Sequence, residues 1–371
     1  MPPIPADVKI VQLCHGKIIP KYTSAYAMRC RRYLSKFESR IAYSVGGLIL
    51  RDEEESKARQ FRSLLLTGLA FLKGERSLEI FISKGKFLRR KYLKEIKKSV
   101  STAEVIIFEG PWQYRLVKNF VMGKKIIYDA HNVEGSLRKG NKWEAYVQEL
   151  EQELIQASDL IITVSHEDSS FLVNKFGLGE KKVVCIPEGF ETPTQKWNGT
   201  NSNEIVFIGS AYLPNVEAVE LLLKVAINLP HYQFKIIGSV SHAISKKSLP
   251  SNVKLLGELG GESKDREMVH SLLAINPVSK GSGRNLKMND YISLGIPIVT
   301  TEVGARGFDD TLKQHMTLSK IETFAASIEE AAHDTEKLEN DSKFFMEYSQ
   351  KNSYENTTRS TFEIISSLLD C

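Results

Sequence analysis

The stretch that most constrains the fold of this chain runs from residue 280 to 305 and reads KGSGRNLKMNDYISLGIPIVTTEVGA. An apolar run at 272–275 and Pro277 precede it, so Gly281 and Gly283 fall in the turn between a strand and a helix. From 284 to 294 the pattern is helical: Met288, Tyr291 and Ile292 share one face, and Lys287, Asp290 and Leu294 another. Gly295 ends that helix, and 296–301 reads as the next buried strand. A glycine turn feeding a helix N-terminus leaves backbone N–H groups pointing at one spot, where the helix dipole favours negative charge. The spacing predicts a phosphate cradle.

Side chains on the helix narrow the ligand. Arg284 and Lys287 bring two cations to the first turn, where they oppose the dipole unless an anion lies between them. A solvated basic turn is the commoner fate of such a pair. Asp290 follows one turn after Lys287, at a depth where a carboxylate can accept hydrogen bonds from vicinal hydroxyls. Cations for a diphosphate and a carboxylate for a ribose together describe a nucleotide.

The segment resembles the donor-binding region of the retaining glycosyltransferases of the GT-B fold, the group 1 or family four class. The residues that carry the resemblance are Gly281 to Gly283, Lys287 with Asp290, Gly295 with Pro297, and Gly304 to Gly307. A dinucleotide fingerprint competes for the same glycines, because Gly281 and Gly283 have its first spacing and Glu302 lies about 20 residues on. Against it, Leu286 stands where the third glycine belongs and would obstruct a pyrophosphate. The unit also comes last in its half of the chain rather than opening it.

A chain of 371 residues accommodates two domains of ordinary size. Its first half alternates apolar strands with helical patterns, the signature of a parallel sheet covered on both faces. Strands are expected at 8–13, 40–45, 78–82, 104–108, 126–128, 159–164 and 183–186. Helices are expected at 24–37, within 51–72, at 86–100 and 141–157, and from 165 to about 177. Residues 192–203, TPTQKWNGTNSN, read as a linker, and 204–208 opens a second strand–helix series. The expected organisation is an acceptor-binding domain over 1–190, a linker at 191–203, a nucleotide-sugar-binding domain over 204–352 and a C-terminal helix at 353–371. The fold class is α/β, with two Rossmann-like, doubly wound domains. The resemblance sets them facing each other across a cleft, with the tail crossing back to the first.

Charge is uneven between the halves. Residues 1–190 hold 32 Lys and Arg against 22 Asp and Glu, a balance of +10, and the remainder holds 18 against 23, a balance of −5. Much of the excess lies at 29–40 and 84–98. A basic first half suits nucleic acid, an anionic membrane, a phosphate-bearing acceptor or simply a soluble surface. No nucleic-acid motif accompanies it, and no nucleic-acid partner is expected. Phe87, Leu88, Ile96 and Val100 form a stripe that suits a membrane surface or, more commonly, a core. No apolar run approaches the ~20 residues needed to span a bilayer, and the first residues lack the features of a signal peptide. A cytoplasmic location is expected, with peripheral attachment to the membrane as an option. Cys14, Cys30, Cys185 and Cys371 are scattered without zinc or redox spacing.

The resemblance also assigns roles. His131, in the YDAHNVE stretch at a strand end, matches the histidine that approaches the reacting sugar, and Glu109 stands near the acceptor. In isolation a histidine there is more often structural. Gly16 and Gly209, each following the first strand of its domain, join Ser282, Gly283, Arg284, Asn285, Lys287 and Asp290 as the expected nucleotide-sugar site. No metal ligands and no cofactor are implied, the nucleotide-sugar being a substrate.

Three departures mark a variant. Many members carry Arg and Lys after the first glycine of the second domain; here Ser210 follows Gly209, and the lysine position falls near Asn215. Of two glutamates eight apart, the first is replaced by Ser282 and the second by Asp290. Glu188 and Glu191 stand where relatives usually have Asn and Asp. Loss of one donor to a leaving phosphate costs roughly 3 kcal/mol of barrier, and Arg284 and Lys287 restore the missing positive charge from the cradle helix. The implied activity is a retaining, metal-independent transfer of sugar from a nucleotide-sugar to a glycan or lipid-linked acceptor, in cell-surface polysaccharide or glycoconjugate synthesis. A catalytically inactive GT-B partner subunit and a sugar-nucleotide epimerase are the competing expectations.

Overall fold

Short β-branched runs bounded by turns dominate both halves: VIIF, KIIYDA and LIIT in the first, EIVFI, QFKII and LAIN in the second. Each is buried almost throughout, as expected of strands covered by helices on both faces. A computed structural model describes residues 8–14, 26, 29–30, 40–44, 48–49, 78–84, 90–244, 248–280 and 284–369. The chain divides into two units, Met1–Glu188 together with Thr357–Cys371, and Gly189–Asn356.

The first unit contains β1 (Ile10–Cys14), β2 (Arg40–Ser44), β3 (Leu48–Ile49), β4 (Val105–Phe108), β5 (Lys125–Ala130), β6 (Leu160–Thr163) and β7 (Val183–Cys185), in the order β3-β2-β1-β4-β5-β6-β7. Neighbours run parallel except β2 and β3. The second contains β8 (Glu204–Ile208), β9 (Gln233–Ile237), β10 (Val253–Gly257), β11 (Leu273–Asn276), β12 (Ile298–Thr300) and β13 (Thr317–Leu318), in the order β10-β9-β8-β11-β12-β13, all parallel. In each sheet the chain starts near the centre, builds outward, then returns to build the other way. The reversal falls between β1 and β4 and between β8 and β11, and open α/β sheets bind ligands beyond the carboxyl ends of strands at such a point.

The two-residue period of the strands divides each core in two. Val11, Leu13, Ile106, Phe108, Ile126 and Tyr128 pack on one face of the first sheet; Ile10, Val105, Ile107 and Ile127 pack on the other, where Ile365 of helix Tyr354–Leu369 joins them. In the second sheet Ile205, Phe207, Phe234 and Ile236 share one cluster, while Val206 and Ile208 share another with Met288, Tyr291 and Ile292.

Several elements differ from the sequence expectation. The run expected as a strand at 78–82 is helix Leu78–Ser83, with Ile80 packed among Trp112, Val147 and Leu150. The helix expected from 284 begins at Lys287, and the one expected from 141 begins at Glu144. Residues 192–203 are no free tether: the Trp197 backbone N–H donates to Leu294 O at 2.9 Å, its ring Nε1 to Ser271 O at 2.8 Å, and the Asn198 N–H to Val269 O at 3.0 Å. In helix Arg90–Ser101, Ile96 and Val100 are core residues, which takes the described part of the apolar stripe away from any surface role. Arg29, counted with the basic excess, is fully buried. Phe87, Leu88, Cys371, the segment 51–72 and most of 24–37 lie outside the described residues.

Candidate functional site

At the ligand end of the first sheet, Glu109 follows β4 directly and its N–H donates to Leu13 O on β1 at 3.0 Å. Its carboxylate is fully buried. One oxygen accepts from Gln12 Nε2, and the other lies 2.7 Å from His131 Nε2 at the end of β5. Gln12 Nε2 also donates to Cys30 O at 3.0 Å, and the Tyr26 ring lies 4.8 Å from the imidazole. The two residues assigned to catalysis from sequence are thus brought together, 22 positions apart in the chain.

Supports behind this pair are long-range. Asp129, one strand residue before Ala130, holds buried Arg29 through Nε at 2.9 and 3.0 Å, and Arg29 Nη1 reaches Ile186 O at 3.1 Å. Glu151 of helix Glu144–Ala157 accepts from the Tyr128 hydroxyl at 2.8 Å and from the backbone N–H groups of Glu134 and Gly135, both at 2.9 Å. Together these clamp both ends of the YDAHNVE loop. Burial pushes the Glu134 carboxyl up to about 7, against the opposing pull of Arg138.

Cys30, Glu109 and His131 place a thiol, a carboxylate and an imidazole within 4.8 Å of one another, a donor set of the kind that binds zinc. Burial raises the Cys30 thiol well above its ordinary range, and Glu109 is already shared between Gln12 and His131. The Cys30 thiol in turn is hydrogen-bonded with Cys14 and Tyr26.

In the second unit the corresponding switch point lies between β8 and β11. Tyr291, buried on helix Lys287–Leu294, ties it together: its hydroxyl accepts from Ile208 N–H at 2.9 Å and lies 3.4 Å from Ile275 O. Gly209 follows β8, and its O lies where a Cβ on Gly238 would come within 2.2 Å; Gly238 has φ +104, so only glycine fits there. Asn215 holds the turn after Gly209, donating through Nδ2 to Ser210 O at 3.1 Å.

Lys287 reaches this turn. Its Nζ is 2.7 Å from Asn215 Oδ1 and 4.1 Å from the centre of the Phe207 ring. The side chain as a whole is partly exposed, yet its ammonium is largely desolvated, and burial pushes its pKa down to about 7. Lys287 thus lies, across 72 residues of sequence, beside the asparagine near which the lysine position of many relatives falls. Arg284 lies over the Phe308 ring at 4.1 Å, with Nη2 donating to Asn289 Oδ1 at 3.0 Å. The Asn285 side chain donates to Val303 O and Gly304 O, both at 3.2 Å. Asp290 is engaged with Lys264 Nζ at 2.7 Å, a partner from helix Gly261–Val269 that sequence reasoning missed. Leu286 is exposed. Gly16, Ser282 and Gly283 lie outside the described residues.

Gln12, Tyr26, Cys30 and Lys264 are the additional residues of the two clusters. Lys264 carried one sequence signal: it sits just past Gly260 and Gly261, at the carboxyl end of β10.

Residues 202–334 match the sequence model of the family described as glycosyl transferases group 1. No curated protein matches the sequence. Among solved structures, HepE from Anabaena in complex with UDP is 13% identical with a TM-score of 0.69, over 97% of this chain and 100% of that one. A glycosyltransferase from Rickettsia africae is 13% identical with a TM-score of 0.61, over 98% and 99%. TarM from S. aureus, in a complex that includes UDP and alpha-GlcNAc-glycerol, is 16% identical with a TM-score of 0.54, over 74% of this chain and 57% of that one. This chain thus spans little more than half of TarM. The chain carries a group 1 glycosyltransferase domain over residues 202–334 and has the fold of the GT-B glycosyltransferases.

Proposed function

We propose that this chain transfers a sugar from a UDP-sugar to a glycan or lipid-linked acceptor, with retention and without a metal ion, in the assembly of a cell-surface glycan. The observation that carries the proposal is Lys287, an ammonium seated against Phe207 and Asn215 beside the turn after Gly209. A buried cation with neutral partners at the ligand end of a switch point suits the diphosphate of a leaving nucleotide. Arg284 adds positive charge, and Asp290 offers its second oxygen to the ribose. HepE, TarM and the pneumococcal transferase GtfA were each solved with UDP, which supports uridine as the base. In the first unit, Glu109 fixes the His131 imidazole for the sugar being transferred.

Thermal-shift screening against UDP-, GDP-, ADP- and dTDP-sugars tests this reading. A UDP-sugar should stabilise the protein, and that effect should be lost in Lys287→Ala and reduced in Asp290→Ala. Absence of any response to all four overturns it. The Lys264–Asp290 pair favours a second reading, a non-catalytic subunit whose ribose acid is permanently occupied; such a subunit would bind no nucleotide and would co-purify with another transferase. An anionic membrane is proposed as a partner through the exposed Lys94 and Lys98 and through Met122, 83% exposed, with the protein at the cytoplasmic face. Sedimentation with phosphatidylserine vesicles, absent with neutral ones, is the expected result.

A further inference from the structure

We infer that Lys287 takes up a proton when the donor's diphosphate binds, so that affinity for the nucleotide-sugar weakens as pH rises above neutrality. The inference rests on the second unit being the nucleotide-sugar site. Lys287 has an unusual setting for a lysine. Its Nζ has one hydrogen-bond acceptor, the uncharged Asn215 Oδ1 at 2.7 Å, and the face of Phe207 at 4.1 Å. No carboxylate pairs with it among the described residues.

The acids on the elements around it are engaged elsewhere. On helix Leu213–Asn228, Glu217 pairs with Lys280 at 3.5 Å, and Glu220 has its own contacts. On β8, Glu204 pairs with Lys235 at 2.7 Å. On its own helix, Asp290 pairs with Lys264. Arg284, three residues earlier, is held by Asn289 Oδ1 and the Phe308 ring and brings no opposite charge. Desolvation thus goes uncompensated, and burial alone lowers the ammonium to about 7.

The sign follows. In the free protein the ammonium is complete below pH 7 and lost as pH rises through that value. A diphosphate placed against it favours the charged form and raises its pKa. Donor binding must then be pH-independent in the acid range and lose nearly tenfold per unit above 7. The diphosphate of a nucleotide-sugar is fully ionised across this range, so the proton belongs to the protein.

Calorimetry of the full chain with UDP-glucose, and with GDP-, ADP- and dTDP-glucose in turn, in two buffers of different ionisation enthalpy, reads the uptake directly. The expected uptake is near zero at pH 6, about half a proton at pH 7 and close to one at pH 8, as a group with that pKa requires. Lys287→Arg, permanently charged, should bind with no buffer dependence and a flat pH profile. Equal heats in both buffers for the wild-type chain, or an uptake that survives in Lys287→Arg and so belongs to a histidine elsewhere, overturns the inference while leaving the donor site intact. Failure of every nucleotide-sugar to bind at any pH overturns the reading of the site and this inference with it.

Discussion

Replacing Asp290 by alanine should erase the protein's ability to tell a ribose from a 2′-deoxyribose in its donor. The carboxylate sits in the first turn of helix Lys287–Leu294, its side chain 33% exposed, and Lys264 Nζ engages Oδ1 at 2.7 Å. In the proposed donor site Oδ2 would accept from the ribose. A hydrogen bond to a charged acceptor contributes about 1.5–3 kcal/mol, and exposure places this one at the lower end, a preference of roughly tenfold. The assay is competition between UDP-glucose and its 2′-deoxy analogue, read as a ratio of Kd values. Asp290→Ala should bring the ratio near one. Lys264→Met should leave the fold's stability within about 1 kcal/mol, because exposed ion pairs contribute little, yet reduce the ratio by freeing the carboxylate to move. A ratio that stays near ten in Asp290→Ala would place the ribose against other residues and refute the reasoning.

Glu109→Gln and His131→Ala should each lower turnover at saturating donor by about 10²–10⁴, the usual contribution of a positioned acid or base. Gly238→Ala forces a side chain at φ +104 to within 2.2 Å of Gly209 O; it should cost roughly 3 kcal/mol or more in urea unfolding and weaken nucleotide binding through the displaced turn. Glu134 has a folded pKa raised by burial from 4.5 to about 7, so the folded chain holds this proton longer than the unfolded one. Its contribution is fullest below pH 4.5 and declines as pH rises to 7, by on the order of 3 kcal/mol; Glu134→Gln should flatten that part of a stability-against-pH curve.

The first strand of the second unit was legible because it is an apolar run closed by a turn residue, at 204–208 ahead of Gly209, whereas the two-residue strand Thr317–Leu318 is too short to leave any pattern. The same reasoning misled at LEIFI. A short apolar run has no period long enough to separate strand from helix, and packing of Ile80 against Trp112 and helix Glu144–Ala157 decided for helix. The cradle helix starts at Lys287 rather than 284 and is entered through a tight turn, in which the Met288 and Asn289 N–H groups donate to Asn285 O and Leu286 O while the Asn285 amide donates to Val303 O and Gly304 O.

Within the site, residue types were readable and their partners were not. Lys287 and Asn215 were each marked in the sequence, one as an added cation and one as a lost one, yet their contact spans 72 residues and depends on β8 and β11 being neighbours. The Lys264–Asp290 and Gln12–Glu109 pairs are of the same kind. Glu109 and His131 could be placed because each stands at the end of a strand, and strand order in a doubly wound sheet brings such ends together.

Residues 357–371 belong with the first unit, where Ile365 is wholly enclosed among Ile10, Val105, Ile107, Ile127 and Ile162. A ribosome delivers the chain from its amino end, so those five side chains emerge long before the residue that caps them. The earlier-made unit therefore cannot close this side of its core until helix Tyr354–Leu369 has been synthesised, whereas the unit spanning Gly189–Asn356 is complete before that helix is.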